Sequence, residues 1–255
     1  MSQGVWRWGT TGPEALCLHC SLAHGRAWSG LARYVSDQMQ IVAPDLIGHG
    51  AAPDWDKTRD IHDQATEAAA TWLDGAPRLV IGHSLGATIA LRLAIERPAQ
   101  IGQLVLIEPV LFCAAGDGAG RRATSAMDGP LAPLLAAGNT DEATRKFLSV
   151  WGETGFDALK PAQQTYMRDR ISLITAQSAT LNEDRAGLVP RLGQAQCPTL
   201  LIEGSKSPPV ISEIMSALET LMPQTRRVVI DGAAHMVPIT HAGAVAEEIA
   251  RFLRD

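Results

Sequence analysis

Short, unbroken apolar runs alternating with helix-like segments predict an α/β protein: a mostly parallel sheet with helices on both faces. Three observations carry that expectation. Six runs, Ala15 to Leu18, Ile41 to Ala43, Leu79 to Ile81, Leu104 to Ile107, Thr199 to Ile202 and Val228 to Ile230, lack the polar alternation of a half-wetted strand, as strands covered on both faces do. The segment LGATIALRLAI from Leu85 to Ile95 is apolar nearly all round, with Arg92 as its only charge and Pro98 to stop it, and reads as a buried helix. Near the C-terminus Val245, Ile249, Phe252 and Leu253 fall at i, i+4, i+7 and i+8, which draws one apolar stripe along a surface helix.

The rhythm breaks once. Between Leu111 and Ala195 no strand run of similar quality occurs; the stretch carries a helix start at Thr140-Asp141-Glu142 and a helix-like span from Pro161 to Thr175. Because the strands resume at Thr199, this is expected to be an insertion into one sheet domain, with a core of residues 1–110 and 196–255 and a helical segment of 111–195. Gly116 to Gly120 (GDGAG) reads as a short flexible loop.

Composition excludes several classes. A chain of 255 residues that is 46% hydrophobic and 19% charged has enough apolar surface for a core, so disorder is excluded as its main state. A net charge of -5 without a basic run offers nothing to neutralise a row of phosphates, so no nucleic-acid partner is expected. No window is apolar enough for a membrane span, and MSQGVWRWGTTGPEA lacks the apolar stretch of a secretory signal, so the chain reads as cytoplasmic with no membrane partner. Four cysteines are too few for a disulfide scaffold. Cys17 and Cys20 form a C-x-x-C, yet they end a strand instead of opening a helix, and Cys113 and Cys197 supply no second pair for zinc, so reduced buried thiols are expected.

The residues richest in chemistry are Gly82-His83-Ser84-Leu85-Gly86, a G-x-S-x-G set between an apolar run and the buried helix. A sharp strand-to-helix turn holds the serine hydroxyl above the sheet, while the following helix aims its free N–H groups and positive dipole end at the same spot. A serine needs a base to become nucleophilic. His235, in DGAAHMVP, follows the last strand run and precedes the last helix, at the carboxyl edge where parallel sheets place their sites. His241 is the alternative, His24 and His62 read as solvated, and His83 lies inside the elbow but points away from the reacting face.

With these residues in place, the chain resembles the α/β-hydrolase fold superfamily over essentially its whole length, as a serine hydrolase with a helical cap. LCLHCSLAHGRAW from Leu16 to Trp28 resembles that family's strand and oxyanion loop, Asp45 to Gly50 (DLIGHG) its D-x-x-G-H-G loop, and Gly232 to Pro238 its histidine loop. The resemblance implies an oxyanion hole from the backbone N–H groups of Ser21 and Leu85. Two departures stand out. Cys20 occupies the place of the usual glycine after His19, where its Cβ narrows the loop, and the stretch Gly204 to Ser207 (GSKS) has Ser207 where the common triad aspartate belongs. A variant of the family places the acid after the strand behind the elbow helix, which here implies Glu108; Asp231, four residues before His235, is the rival.

The resemblance thus implies Ser84, His235 and Glu108 as catalytic residues, an acyl-enzyme mechanism that requires no cofactor and no metal, and a small-molecule acyl substrate, with a small or medium carboxylic ester as the expected class. A carbon–carbon bond hydrolase or lactonase of the same fold, and a non-catalytic small-ligand receptor, are the competing readings. Leu131, Leu134, Leu135, Phe147, Val150 and Trp151 of the insertion either line a pocket or hold its helices together, the second being the role expected of any single one, and Arg121 and Arg122 are expected to face solvent. Nothing in the sequence specifies an oligomeric state.

Overall fold

The computed structural model of the protein describes residues 4–254; the outermost residues of the expected core, 1–3 and 255, lie outside them. Seven strands, β1 (Val5–Trp8), β2 (Glu14–Leu18), β3 (Gln40–Pro44), β4 (Arg78–His83), β5 (Ile101–Ile107), β6 (Thr199–Gly204) and β7 (Thr225–Ile230), form one sheet in the order β1-β3-β2-β4-β5-β6-β7. All neighbours are parallel except β1, which pairs antiparallel with β3 through Val5 to Pro44 and Trp8 to Ile41. The six expected runs are β2 to β7. The edge strand β1 has no apolar run to announce it, because Val5, Trp6 and Trp8 are half-buried and Arg7 exposed.

Helices cover both faces. On one, α1 (Ser29–Val35) packs with the last helix of the chain through Leu31, Val35, Val245, Ile249 and Phe252, so the expected stripe is a buried face. The other carries α2 (Ile61–Ala70) and α3 (Leu85–Glu96), where Ile89, Leu91 and Leu93 are fully enclosed. Burial of each such side chain stabilises the fold by about 1.5–3 kcal/mol. Arg92, the only charge within that run, is held by Asp63 at 2.6 Å and Glu96 at 2.7 Å.

Chain direction decides where a site forms. From β2 the chain crosses to β3 on one side and then to β4 on the other, so the carboxyl ends of β2 and β4 flank a crevice at the point where strand order reverses.

Between β5 and β6 the chain forms α4 (Ala119–Asp128), α5 (Leu131–Ala136), α6 (Thr140–Trp151), α7 (Pro161–Arg168), α8 (Ser172–Ala176) and α9 (Ser178–Glu183), with no strand among the described residues. The span read as one helix from Pro161 to Thr175 is two: α7 ends before Asp169, and Ile171 turns into a small separate core with Leu22, Leu131 and Ala143. The GDGAG loop is shorter than expected, since α4 begins inside it. Glu213, on α10 (Pro209–Leu221), accepts the N–H groups of Gly120 at 2.7 Å and Arg121 at 2.8 Å, capping α4 from another element. The chain ends in α11 (Val237–Thr240) and α12 (Ala242–Phe252). Among the described residues no helix is long and apolar enough to cross a membrane.

Candidate active site

Ser84 sits between β4 and α3 with φ 55° and ψ -115°, a conformation that costs a non-glycine residue on the order of 1–3 kcal/mol. The surroundings hold it there: its N–H donates to Ile107 O at 2.9 Å, and its carbonyl accepts from Ala87 and Thr88. Both flanking glycines are required by close approach. A Cβ on Gly82 would lie 2.3 Å from Gly86 O, and one on Gly86 would lie 2.1 Å from Leu18 O, so any side chain forces β2, β4 and α3 apart.

Three side chains from three strand ends meet above the sheet. His235, in the loop after β7, lies with Nε2 3.0 Å from Ser84 Oγ and with Nδ1 2.9 Å from Glu108 Oε2. That geometry lets Nδ1–H donate to the carboxylate while Nε2 accepts from the serine hydroxyl. Glu108, directly after β5, is fully buried with φ 53°, and its N–H donates to Ile202 O. Its second oxygen, Oε1, accepts from Gly204 N–H at 2.7 Å and from Ser207 Oγ at 2.6 Å. Ser207 therefore serves the glutamate. Asp231 is exposed and accepts instead from Ser205 Oγ at 3.1 Å, and His241 stands at the N-cap of α12 beside Thr240.

The histidine is held from behind. His83 Nε2–H donates to the His235 carbonyl at 2.9 Å, and burial pushes its pKa down to about 3, so it stays neutral. Trp151, at the end of α6, meets the His235 ring edge-on with centroids 4.7 Å apart. His62 corrects the expectation of a solvated residue: it is completely buried, donates from Nε2 to Thr88 Oγ1, and links α2 to α3 with its pKa lowered to about 3, chiefly by burial. His24 is half-buried, with Trp6 on one side and Tyr166 on the other.

Ser21, in the loop after β2, borders the same space, and the N–H of Leu85 is among those that the first turn of α3 leaves free. His19 accepts the Leu46 N–H at Nε2 and donates from Nδ1 to Cys20 O, which ties that loop to the loop after β3. Asp45 there receives the N–H groups of Gly25 and Ala51. Cys17 and Cys20 are buried free thiols; burial pushes Cys20 up to about 12 and Cys17 further in the same direction. Among the described residues no group of three or more His, Cys, Asp or Glu is arranged to hold a metal.

Two chambers, of about 360 and 230 Å³, are bordered by the serine. Both reach Ser21, Ser84, Phe147, Trp151 and His235. Leu131, Phe147 and Trp151 of the insertion thus line the site, whereas Leu134 and Leu135 pack inside the insertion and Val150 against the main core, so the expectation of mere helix packing fails for the first three. Arg121 lies over the Phe112 ring, and neither Arg121 nor Arg122 borders a chamber with the serine.

A doubly wound sheet with a serine on a strained strand-to-helix turn and a histidine loop after the last strand defines an α/β hydrolase. Residues 15–248 match the alpha/beta hydrolase family, and the chain belongs to it. It is similar to a lipase, LipV, of Mycobacterium tuberculosis, at 29% identity over 96% of this chain and 95% of that protein. It is also similar to a pimeloyl-[acyl-carrier protein] methyl ester esterase of Methylococcus capsulatus, at 27% identity over 95% of each. Among solved structures, a hydrolase from Pseudomonas aeruginosa superposes with a TM-score of 0.77 at 19% identity, covering 98% of this chain and 93% of that one. The enol-lactonase from Burkholderia xenovorans gives 0.72 at 19% identity, covering 98% and 96%.

Proposed function

We propose that this chain is a serine hydrolase for small or medium carboxylic esters, working through an acyl-enzyme on Ser84. The observation that carries the reading is the unbroken hydrogen-bonded line from Ser84 Oγ through His235 to the buried Glu108. In this mechanism Ser84 Oγ attacks the acyl carbon and its proton passes to His235 Nε2, while the N–H groups of Ser21 and Leu85 receive the developing oxyanion. Glu108 orients the ring and stabilises the imidazolium. His235 then returns the proton to the leaving alkoxide, and a water deprotonated by the same nitrogen releases the acid and regenerates the serine. Residues 111–195 act as a cap that shapes what enters, over a catalytic core of residues 1–110 and 196–255. Relatives that include a lipase and a methyl ester esterase support the ester class.

The test is a chromogenic ester panel, lactones included, with the Ser84→Ala protein as control and a fluorophosphonate probe beside it. Turnover is expected from the unaltered protein only, and mass spectrometry is expected to find one probe adduct, on Ser84. Ester turnover that survives Ser84→Ala, or a probe adduct elsewhere, would count against the reading; stoichiometric ester binding without turnover would favour a receptor.

A further inference from the structure

The larger chamber contains a polar group that the reaction above does not use. Gln177, at the junction of α8 and α9, is 2% exposed and lines that chamber. Its Oε1 accepts a hydrogen bond from Ser21 Oγ at 3.1 Å. Its Nε2 has no acceptor among the described residues. A buried N–H₂ left in that state is costly unless something else accepts from it. The chamber is apolar near Val110, Phe112, Leu131 and Leu181, and among the described residues no Asp, Glu, Lys or Arg lines it. An anionic substrate arm would therefore be desolvated there without a cation to meet it.

We propose, resting on the ester hydrolase reading, that Gln177 Nε2 is a substrate-binding donor, and that the arm entering this chamber is uncharged and carries an oxygen acceptor such as a ketone or amide carbonyl. Gln177 Oε1 bonds to Ser21, whose own N–H borders the reacting carbonyl, so the acceptor lies a short way along the arm from the scissile bond. The rest of the arm lies against the apolar wall. A plain alkyl arm fills the same volume and leaves the amide unpaired, which selects against it.

The test compares two ester series, one with a ketone moved stepwise along the acyl arm and one with it moved along the alcohol arm, each against the alkyl ester of equal length. Every kcat/KM is normalised to that ester's rate of alkaline hydrolysis, which removes intrinsic reactivity. In one series, at one position, the ketone ester is expected to be preferred by at least about tenfold. Gln177→Met, close in volume but without the amide, is expected to bring that ratio to near one, with Gln177→Leu as the second variant and thermal unfolding as the check on folding. A wild-type ratio near one throughout both series overturns the inference while leaving the hydrolase reading intact, and needs no variant. A ratio that survives in folded Gln177→Met or Gln177→Leu protein also overturns it. Absence of turnover on every ester overturns the hydrolase reading and this inference together.

Discussion

At the residue scale the decisive question is which carboxylate orients His235. Glu108 is fully buried with each oxygen engaged, one by His235 Nδ1 and the other by Gly204 N–H and Ser207 Oγ. Asp231 is nearer in sequence, but its exposed carboxylate turns toward Ser205. Glu108→Gln is therefore expected to lower kcat by on the order of 10³–10⁴, because the amide favours the wrong imidazole tautomer and cannot stabilise the imidazolium. Asp231→Asn is expected to change kcat by no more than a few fold. Steady-state kinetics on both variants, with circular dichroism to confirm folding, decides the matter; the reverse order would make Asp231 the acid. The Ser207 hydroxyl already donates to Glu108, and this contact decides the effect of Ser207→Asp. Two carboxylates would then share one buried site, and the new charge would repel Glu108 instead of supplementing it.

At the scale of elements, the strained Ser84 backbone exists because β4, β5 and α3 enclose it, and Gly82 and Gly86 make that enclosure possible. Gly86→Ala puts a methyl 2.1 Å from a backbone oxygen of β2, which no rotamer change relieves. A loss of at least about 2 kcal/mol is expected, read by urea denaturation, with activity falling further as the Ser21 loop is displaced. A stable, fully active Gly86→Ala protein would show that the turn yields more easily than its geometry implies. The elbow was legible in sequence because strand, turn and helix are contiguous there. The cap of α4 was not, since its carboxylate comes from Glu213, 93 residues from Gly120.

At the scale of the whole molecule, four histidines are buried in the uncharged state. Burial is the first cause in each case: His49 is held to about 4, His62 and His83 to about 3, and His19 well below its ordinary value. In the unfolded chain all four titrate near pH 6.5. Between these values the unfolded state binds more protons than the folded one, so stability rises with pH there; the contribution is complete above about pH 6.5 and is lost as pH falls toward the folded values. Each histidine contributes a slope of about 1.4 kcal/mol per pH unit within its window. Urea midpoints are thus expected to fall between pH 7 and pH 5, and His62→Gln to be less stable at pH 7 yet shallower in its pH dependence. Stability independent of pH across that interval would mean that these rings protonate without unfolding.

The sequence by itself determined what neighbouring residues encode: six strands from unbroken apolar runs, the buried α3 from its all-round apolar surface, the stripe of α12, and the strand-turn-helix that carries Ser84. It also placed His235 and Glu108 at one sheet edge, because both follow strands that run the same way. Only the tertiary structure decided the pairings between distant segments: Ser207 on Glu108, Trp151 against His235, the Ser21–Gln177 bond across 156 positions, and the burial of His62. The edge strand β1 belongs with these, since its partner β3 and not its own pattern makes it a strand. The physical reason is range. Periodicity, turns and caps act within a few residues and leave a local signature, whereas a hydrogen bond between two loops depends on where several packed elements bring their ends, and no single segment carries that information.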